Sequence, residues 1–294
     1  MDNCGRGTHE SVFVSSTALT ARTVPEAVAE CERRGLSQLE LTSSFPYYPG
    51  IPEEILAMRR RGMRLLLHNY FPPSAQGFVL NLASANPTIL KRSIEHCRTA
   101  LVLSAEIGAP FFSVHAGFSV DPQPSELGRR LAPEARRSKE DAIKVFYDTI
   151  ARLCETAETL GVALLIENNV VSRDNLVNGR NDLLLGVIAD DFHALFETVS
   201  SGSLGMLLDV GHLKVSACAL GFDAGHTVSE VRRYVRALHL SDNDGHVDNN
   251  QAFGRDAWFL PHLSLFPEAL FVIETRPLEP SALEACMRIV EEAE

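Results

Sequence analysis

Seven apolar runs of this chain end in an acid or a histidine at nearly the same place. The residues are Glu40, His68, His115, Glu167, Asp209, His239 and Glu274, in QLELTSS, MRLLLHN, FFSVHAG, VALLIENN, GMLLDVGH, RALHLSD and LFVIETR. Near-continuous apolar runs are typical of parallel strands that are buried on both faces. Because an isolated buried charge costs several kcal/mol, packing alone does not explain seven such strand ends. They indicate a shared rim of carboxylates and imidazoles, as a divalent metal ion requires.

One unit recurs along the chain: an amphipathic helix, a glycine that ends it, and an apolar strand. The glycines are Gly35, Gly62, Gly108 and Gly161. A first strand near residues 11–15 and a last near residues 269–274 bring the number of strands to eight. Eight such units in ~250–300 residues predict an α/β fold, a single (β/α)8 TIM barrel with its active site at the C-terminal ends of the strands. An open doubly wound sheet would have no reason to place a polar residue at every strand end.

No Gly/Ser-rich linker or change of composition divides the chain, which predicts one TIM-barrel domain over residues 1–294. The segments 69–86, 116–137 and 168–188 each leave the C-terminal end of a predicted strand. They are longer than simple connections, so we expect them to overhang the mouth of the barrel and to shape access to it.

Composition and charge narrow the class of protein. A formal net charge of −11 disfavours a nucleic acid as partner, since such surfaces are built on basic patches. No apolar run approaches the ~18–20 residues that cross a bilayer, and the N-terminus lacks the apolar centre of a signal peptide. The six cysteines have no zinc-finger spacing and are expected to be reduced thiols. These features predict a cytoplasmic protein with no membrane partner.

Four of the seven strand ends form the candidate metal site. Glu167, Asp209, His239 and Glu274 close strands 5 to 8, which are neighbours around a barrel. Mixed oxygen and nitrogen ligands suit a divalent metal ion, with Mn²⁺ or Zn²⁺ foremost and Mg²⁺ or Co²⁺ as alternatives. The same strand ends supply almost no basic residue that would neutralise three carboxylates, which favours a metal ion over internal salt bridges.

The remaining histidines leave two roles open. His68 and His115 close the adjacent strands 3 and 4, where they either bind substrate hydroxyls or join Glu167 in holding a second ion. His212 follows Asp209 by three residues and is expected in the mouth, as a substrate contact or as a further metal ligand. With Asp248, from the segment after strand 7, these three histidines form the predicted substrate-binding set.

Several of these motifs together resemble the xylose isomerase-like TIM-barrel superfamily, which groups sugar isomerases and epimerases with endonuclease IV. The motifs are LLLHNY, NLAS at 81–84, FFSVHAG, LLIEN, LLDVGH, HLSDNDG and FVIET. In the ketose epimerases of this group, a Glu, an Asp, a His and a Glu from strands 5 to 8 hold one metal ion. Glu167, Asp209, His239 and Glu274 match them in order. The resemblance implies that the two glutamates, Glu167 and Glu274, are also the catalytic residues that move protons.

The resemblance implies a metal-dependent sugar (or sugar-phosphate) isomerase or epimerase. The metal would polarise a substrate carbonyl, one glutamate would take a proton from the neighbouring carbon, and the other would return it through a cis-enediolate. The expected partner is a small-molecule carbohydrate, and a homo-oligomer is left open.

The alternative is a metal-dependent phosphoester hydrolase similar to endonuclease IV, which uses three zinc ions on the same barrel. Its additional ligands match His68 and His115 for one ion, and His212 and Asp248 for another. Asn250 stands where that family has its last histidine, and an amide is a poor zinc ligand. This departure and the acidic net charge place the isomerase first.

Overall fold

The computed structural model describes residues 11–43 and 45–293. Eight parallel strands close into a barrel in chain order, and the last pairs with the first. The strands are β1 (Val12–Ser15), β2 (Gln38–Leu41), β3 (Arg64–His68), β4 (Phe111–His115), β5 (Ala163–Glu167), β6 (Leu204–Asp209), β7 (Val235–Leu240) and β8 (Leu270–Ile273). The predicted (β/α)8 barrel is confirmed. The prediction of one domain includes residues outside the described range and stays a prediction.

The helices surround the barrel. They are α1 (Val24–Arg34), α2 (Ile51–Arg60), α3 (Pro87–Ile107), α4 (Lys139–Leu160), α5 (Ala189–Thr198), α6 (Val210–Leu220), α7 (Ala224–Val231) and α8 (Pro280–Ala293). The side chains of Thr23, Asn86 and Ser138 accept backbone N–H bonds at the starts of α1, α3 and α4. Gly35 and Gly161 end α1 and α4 with φ of 68° and 67°, a conformation that favours glycine.

The alternation of strand and helix differs from the prediction between β7 and β8. The described residues form no α-helix there, only a 3₁₀ turn at Leu260–Leu265. Pro261 lies in the first turn of this 3₁₀ helix, where proline is tolerated, and Pro267 follows its C-cap, where proline does not continue a helix. The first part of the connection instead forms a loop over the mouth, closed at its base by an antiparallel bridge between Asp242 and Gln251. This loop carries Asp248.

The barrel is packed as the apolar runs predicted, with every residue of β2 and β6 buried. A second apolar cluster lies under the two long segments that follow β4 and β5. Its buried members are Val120, Leu131, Val171, Leu183, Leu184 and Val187. Backbone hydrogen bonds from Ser119 N–H to the Leu183 carbonyl at 2.9 Å and from Leu185 N–H to the Gly117 carbonyl at 3.0 Å tie the two segments together. The segments are therefore ordered walls of the mouth.

Five cysteines in the described part of the chain are free thiols, as predicted: Cys31, Cys97, Cys154, Cys218 and Cys286. Cys4 lies outside the described residues. Among the described helices, none is both long enough and apolar enough to cross a membrane.

Candidate metal centre

The ends of β5 to β8 bring four predicted ligands together. His239 Nδ1 lies 2.8 Å from Glu274 Oε2, 3.3 Å from Glu167 Oε1 and 3.8 Å from Asp209 Oδ2. One ligand atom from each residue lies within 4.8 Å of the other three. The register explains part of this geometry, because Asp209 and His239 are direct partners across β6 and β7. We call Glu167, Asp209, His239 and Glu274 the four-residue cluster.

A second group of side chains meets the other oxygen of Glu167. His68 Nε2 lies 3.3 Å and His115 Nδ1 lies 3.0 Å from Glu167 Oε2. The three residues also have ligand atoms within 4.8 Å of one another. His68 is buried, with its Nδ1 hydrogen-bonded to Ser113 Oγ at 3.0 Å, whereas His115 is 28 % exposed. Glu167 therefore belongs to both groups. Its Oε1 faces the rest of the four-residue cluster, and its Oε2 faces this pair of histidines.

His212 and Asp248 form a third group beside the cluster. His212 Nδ1 donates to the carbonyl oxygen of Asn168 at 2.9 Å, which leaves Nε2 facing Asp248 Oδ2 at 3.2 Å. When its amide nitrogen is turned toward Asp248, Asn250 donates to Oδ1 at 2.9 Å. Asn250 thus stabilises the Asp248 carboxylate by donating a hydrogen bond. That orientation offers no lone pair to an ion between His212 and Asp248.

Burial and the neighbouring charges set the pKa values of these groups. Burial raises the pKa of Asp209 to about 7. Burial also favours neutral Glu274 and Glu167, but the adjacent histidines reverse the effect. They lower the pKa of Glu274 to about 2, chiefly through His239, and hold that of Glu167 well below its usual range. Burial lowers the pKa of His239, and the opposing carboxylates of Glu274 and Glu40 raise it well above its usual value.

The donor set fits a divalent cation. Four buried ligand atoms have no well-aligned hydrogen bond to the described residues: both carboxylate oxygens of Glu167, Nδ1 of His239 and Nδ1 of His115. Buried polar atoms almost always have such a bond. Within the described residues, no lysine or arginine forms an ion pair with the four-residue cluster. Lys214 instead pairs with Asp242 at 2.6 Å. Three carboxylates around one imidazole attract positive charge, and their oxygen and nitrogen atoms are the ligands that such ions take.

Two asparagines that no sequence motif marks as functional residues hold the strand ends in place. Asn168 Oδ1 accepts from the backbone N–H of Asp209 at 2.8 Å, and its Nδ2 donates to the Asp209 carbonyl at 3.0 Å. Asn169 Nδ2 donates to the carbonyl oxygens of Ala116 and Leu185 at 2.7 and 2.9 Å. Their only trace in the sequence is the Asn-Asn pair after Glu167, since the groups they bind lie far along the chain.

A cavity of about 380 Å³ opens above these groups at the mouth. His115, His212 and Asp248 line it, together with Asn69, Tyr70 and Asn169. All three long segments predicted to overhang the mouth contribute to its wall. The structure therefore places three of the four predicted substrate-binding residues on the cavity surface, while His68 lies beneath His115, outside the lining.

Comparison with known proteins establishes the class of this barrel. A family model described as xylose isomerase-like TIM barrel matches residues 27–285. The chain belongs to this family.

Two curated relatives match part of the chain. Fructoselysine 3-epimerase of Escherichia coli O157:H7 is 24 % identical over 186 residues, covering 61 % of this chain and 56 % of that protein. An uncharacterized protein of Methanocaldococcus jannaschii is 23 % identical over 175 residues, covering 60 % and 52 %. The matches therefore span about half the length of these relatives.

Solved structures match nearly the whole chain. A D-tagatose 3-epimerase-like protein has a TM-score of 0.72 at 18 % identity, covering 96 % of this chain and 98 % of that one. A protein of Thermus thermophilus, soaked with ZnCl₂, has a TM-score of 0.63 at 23 % identity and the same coverage. At these identities the likeness establishes the fold.

Proposed function

We propose that this protein is a divalent-metal-dependent isomerase or epimerase of a small carbohydrate or sugar phosphate. The observation that carries the proposal is the four-residue cluster at the mouth of the barrel, which is rich in negative charge and buried except for the partly exposed Glu274. The fructoselysine 3-epimerase relative and the D-tagatose 3-epimerase-like structure support the same class of reaction. Mn²⁺ or Zn²⁺ suits the donor set best, and Mg²⁺ or Co²⁺ is also compatible with it.

Glu167, Asp209, His239 and Glu274 would hold the metal ion. When bound, the ion supplies Lewis-acid polarisation of a substrate carbonyl and stabilises the negative charge that develops on its oxygen. Glu167 and Glu274 both face His239 Nδ1, and their lowered pKa values keep them in the ionised form that a base requires. One carboxylate removes the proton on the carbon next to the carbonyl, and the other returns a proton to the substrate enediolate.

The cavity residues would orient the sugar. His115, His212 and Asp248 line the cavity and offer imidazole nitrogens and a carboxylate to substrate hydroxyls. His212 is well suited to this role, because its Nδ1–H bond to Asn168 fixes which nitrogen faces the cavity side. His68 contacts Glu167 from below, so it would bind substrate only if a hydroxyl reaches the floor of the site.

The exchange of a substrate C–H with solvent tests the proposal. The protein is loaded with Mn²⁺ or Zn²⁺ and incubated in D₂O with ketopentoses, ketohexoses and their phosphates, and the sugars are analysed by mass spectrometry. We expect one deuterium on the carbon next to the carbonyl of at least one sugar. A fully loaded protein that exchanges none of these sugars would contradict the proposal.

A second candidate function is metal-dependent phosphoester hydrolysis of the endonuclease IV type. It is favoured by His68 and His115 meeting on Glu167 Oε2, which forms a second group able to hold an ion. Against it stand Asn250, which donates to Asp248, and the net charge of −11. Nicking of a duplex with one abasic site by the zinc-loaded protein, abolished by EDTA, would favour this function over the first.

A further inference from the structure

Glu40 is the one acid among the seven strand ends that the proposed mechanism leaves unused. It lies in β2, is fully buried, and crosses the interior of the barrel to reach β7. Its Oε1 lies 3.1 Å from His239 Nε2, while its Oε2 has no hydrogen-bond partner in the part of the chain that the structure describes. A carboxylate kept in this place at the cost of its hydration requires an explanation other than packing.

The two nitrogens of His239 face different carboxylates. Nε2 faces Glu40, and Nδ1 faces the four-residue cluster, with Glu274 Oε2 at 2.8 Å. A neutral imidazole carries one N–H donor and one lone pair, so only one of its nitrogens can bind a metal ion. A carboxylate that accepts a hydrogen bond from one ring nitrogen of a ligating histidine fixes the tautomer and the orientation of the ring.

We propose that Glu40 is a positioning residue that accepts the Nε2–H of His239, so that the Nδ1 lone pair points at the metal. The inference rests on the proposed function, because it takes His239 as a metal ligand. Glu40 is not among the residues that line the cavity, and its hydrogen-bonding distance to the cluster is to His239. The contact joins β2 to β7 across the barrel and holds the ring from the side opposite the cluster.

The geometry also defines the competing role for Glu40. Glu40, His68 and His239 have ligand atoms within 4.8 Å of one another, and the rings of the two histidines lie 4.8 Å apart between centroids. If an ion were bound among these three residues, it would be on Nε2 of His239. The two roles therefore differ in which nitrogen of His239 binds the metal.

Zinc affinity of the metal-stripped protein, measured by competition with a chromogenic chelator, tests without any activity assay whether Glu40 supports metal binding at His239. Glu40→Leu removes the acceptor at similar volume, and Glu40→Gln keeps one oxygen that can accept the Nε2–H. We expect the leucine variant to bind zinc about 10–100-fold more weakly, the usual effect of losing such a partner. The glutamine variant should recover part of that loss, because its amide oxygen can still accept the Nε2–H of His239.

Glu30 provides the matched control. It is also a buried glutamate, but its carboxylate accepts from the backbone of Thr20 and Ala21 and pairs with Arg34 at 2.6 Å, away from the cluster. Glu30→Gln should lower stability and leave zinc affinity unchanged. A folded Glu40→Leu protein with wild-type zinc affinity would overturn the inference.

A crystal structure of the zinc-loaded wild-type protein gives a second test that does not depend on whether the variants fold. We expect zinc to be bound to His239 Nδ1, with the Glu40 carboxylate accepting the Nε2–H. Zinc bound to Nε2, between Glu40 and His68, would overturn the inference. The two failures are distinguishable. If the wild-type protein binds no metal at His239, the proposed function fails, whereas metal bound there with equal affinity in Glu40→Leu refutes only the role of Glu40.

Discussion

Glu167 is the residue on which the candidate site depends most, because its two oxygens serve different neighbours. Oε1 faces His239 at 3.3 Å, and Oε2 faces His68 and His115 at 3.3 and 3.0 Å. Three imidazoles around one carboxylate explain why its pKa falls although burial acts in the opposite direction. Glu274 has one close imidazole, His239, and is 12 % exposed, which makes it the simpler glutamate to test.

Replacing Glu274 with glutamine separates metal binding from proton transfer. The amide keeps the size and one ligating oxygen but cannot act as the base. We expect turnover to stay roughly 10²-fold or more below wild type at saturating metal, the usual range for a lost general base. Deuterium exchange is measured against metal concentration, with bound metal determined in parallel. Full recovery of exchange at high metal would show that Glu274 is a ligand and nothing more.

The raised pKa of Asp209 predicts how metal affinity depends on pH. Its carboxyl has a pKa of about 7 because of burial, so it is protonated below pH 7 and ionised above it. A ligating carboxylate must be deprotonated, and below pH 7 the ion must displace this proton. Affinity should therefore fall as the pH decreases through 7, by up to about tenfold per pH unit for this one proton. Zinc competition between pH 5.5 and 8 measures how steeply zinc affinity depends on pH. In Asp209→Asn, zinc binding should release one proton fewer, so this dependence should be weaker.

At the scale of elements, the sequence predicted what local chemistry determines. Gly35 and Gly161 end helices as predicted, because a C-cap depends only on its own neighbours in the chain. The contacts that organise the mouth were not predicted. Asn81, for example, binds Phe118 N–H and the Val120 carbonyl, about 40 residues away in the sequence, at 3.0 and 2.8 Å. The periodicity of apolar residues along the chain does not predict a hydrogen bond between two such distant loops.

Gly117 offers a test of this connection between loops. A Cβ at Gly117 would lie 2.8 Å from both Ala83 Cβ and Asn81 Oδ1, so Gly117→Ala forces apart the segments after β3 and β4. We expect a loss of about 1–3 kcal/mol in the free energy of unfolding, as for other overpacked sites. Gly202→Ala is the control, since its Cβ would meet nothing within 4 Å. Urea unfolding of both variants measures the difference, and equal stabilities would contradict the expectation.

At the scale of the molecule, closure of the barrel is what made the candidate site predictable. In a closed parallel barrel all C-terminal strand ends surround one mouth, so residues as distant as Glu167 and Glu274 had to approach each other. Closure does not determine which side chains meet across the interior. The contact of Glu40 with His239 depends on strand stagger and rotamers. The alternation of helix and strand in the sequence does not predict that side chains of β2 and β7 are in contact.

The charge of the four-residue cluster predicts that a metal ion stabilises the whole fold. In the metal-free protein the carboxylates of Glu167, Asp209 and Glu274 lie close together around His239, and an ion that binds only the native state relieves their repulsion. At 100 times its dissociation constant, such an ion adds about 2.7 kcal/mol, and Tm rises by roughly 2–4 °C per kcal/mol in domains somewhat smaller than this one. We expect Mn²⁺ or Zn²⁺ to raise Tm of the EDTA-treated protein, with a rise that grows with metal concentration.

Glu167→Gln should lose most of that rise in Tm, because it removes one charge of the cluster directly. Asp190→Asn, which removes an exposed carboxylate at the start of α5, should keep it. Equal rises in both variants would place the stabilising ion elsewhere on the protein.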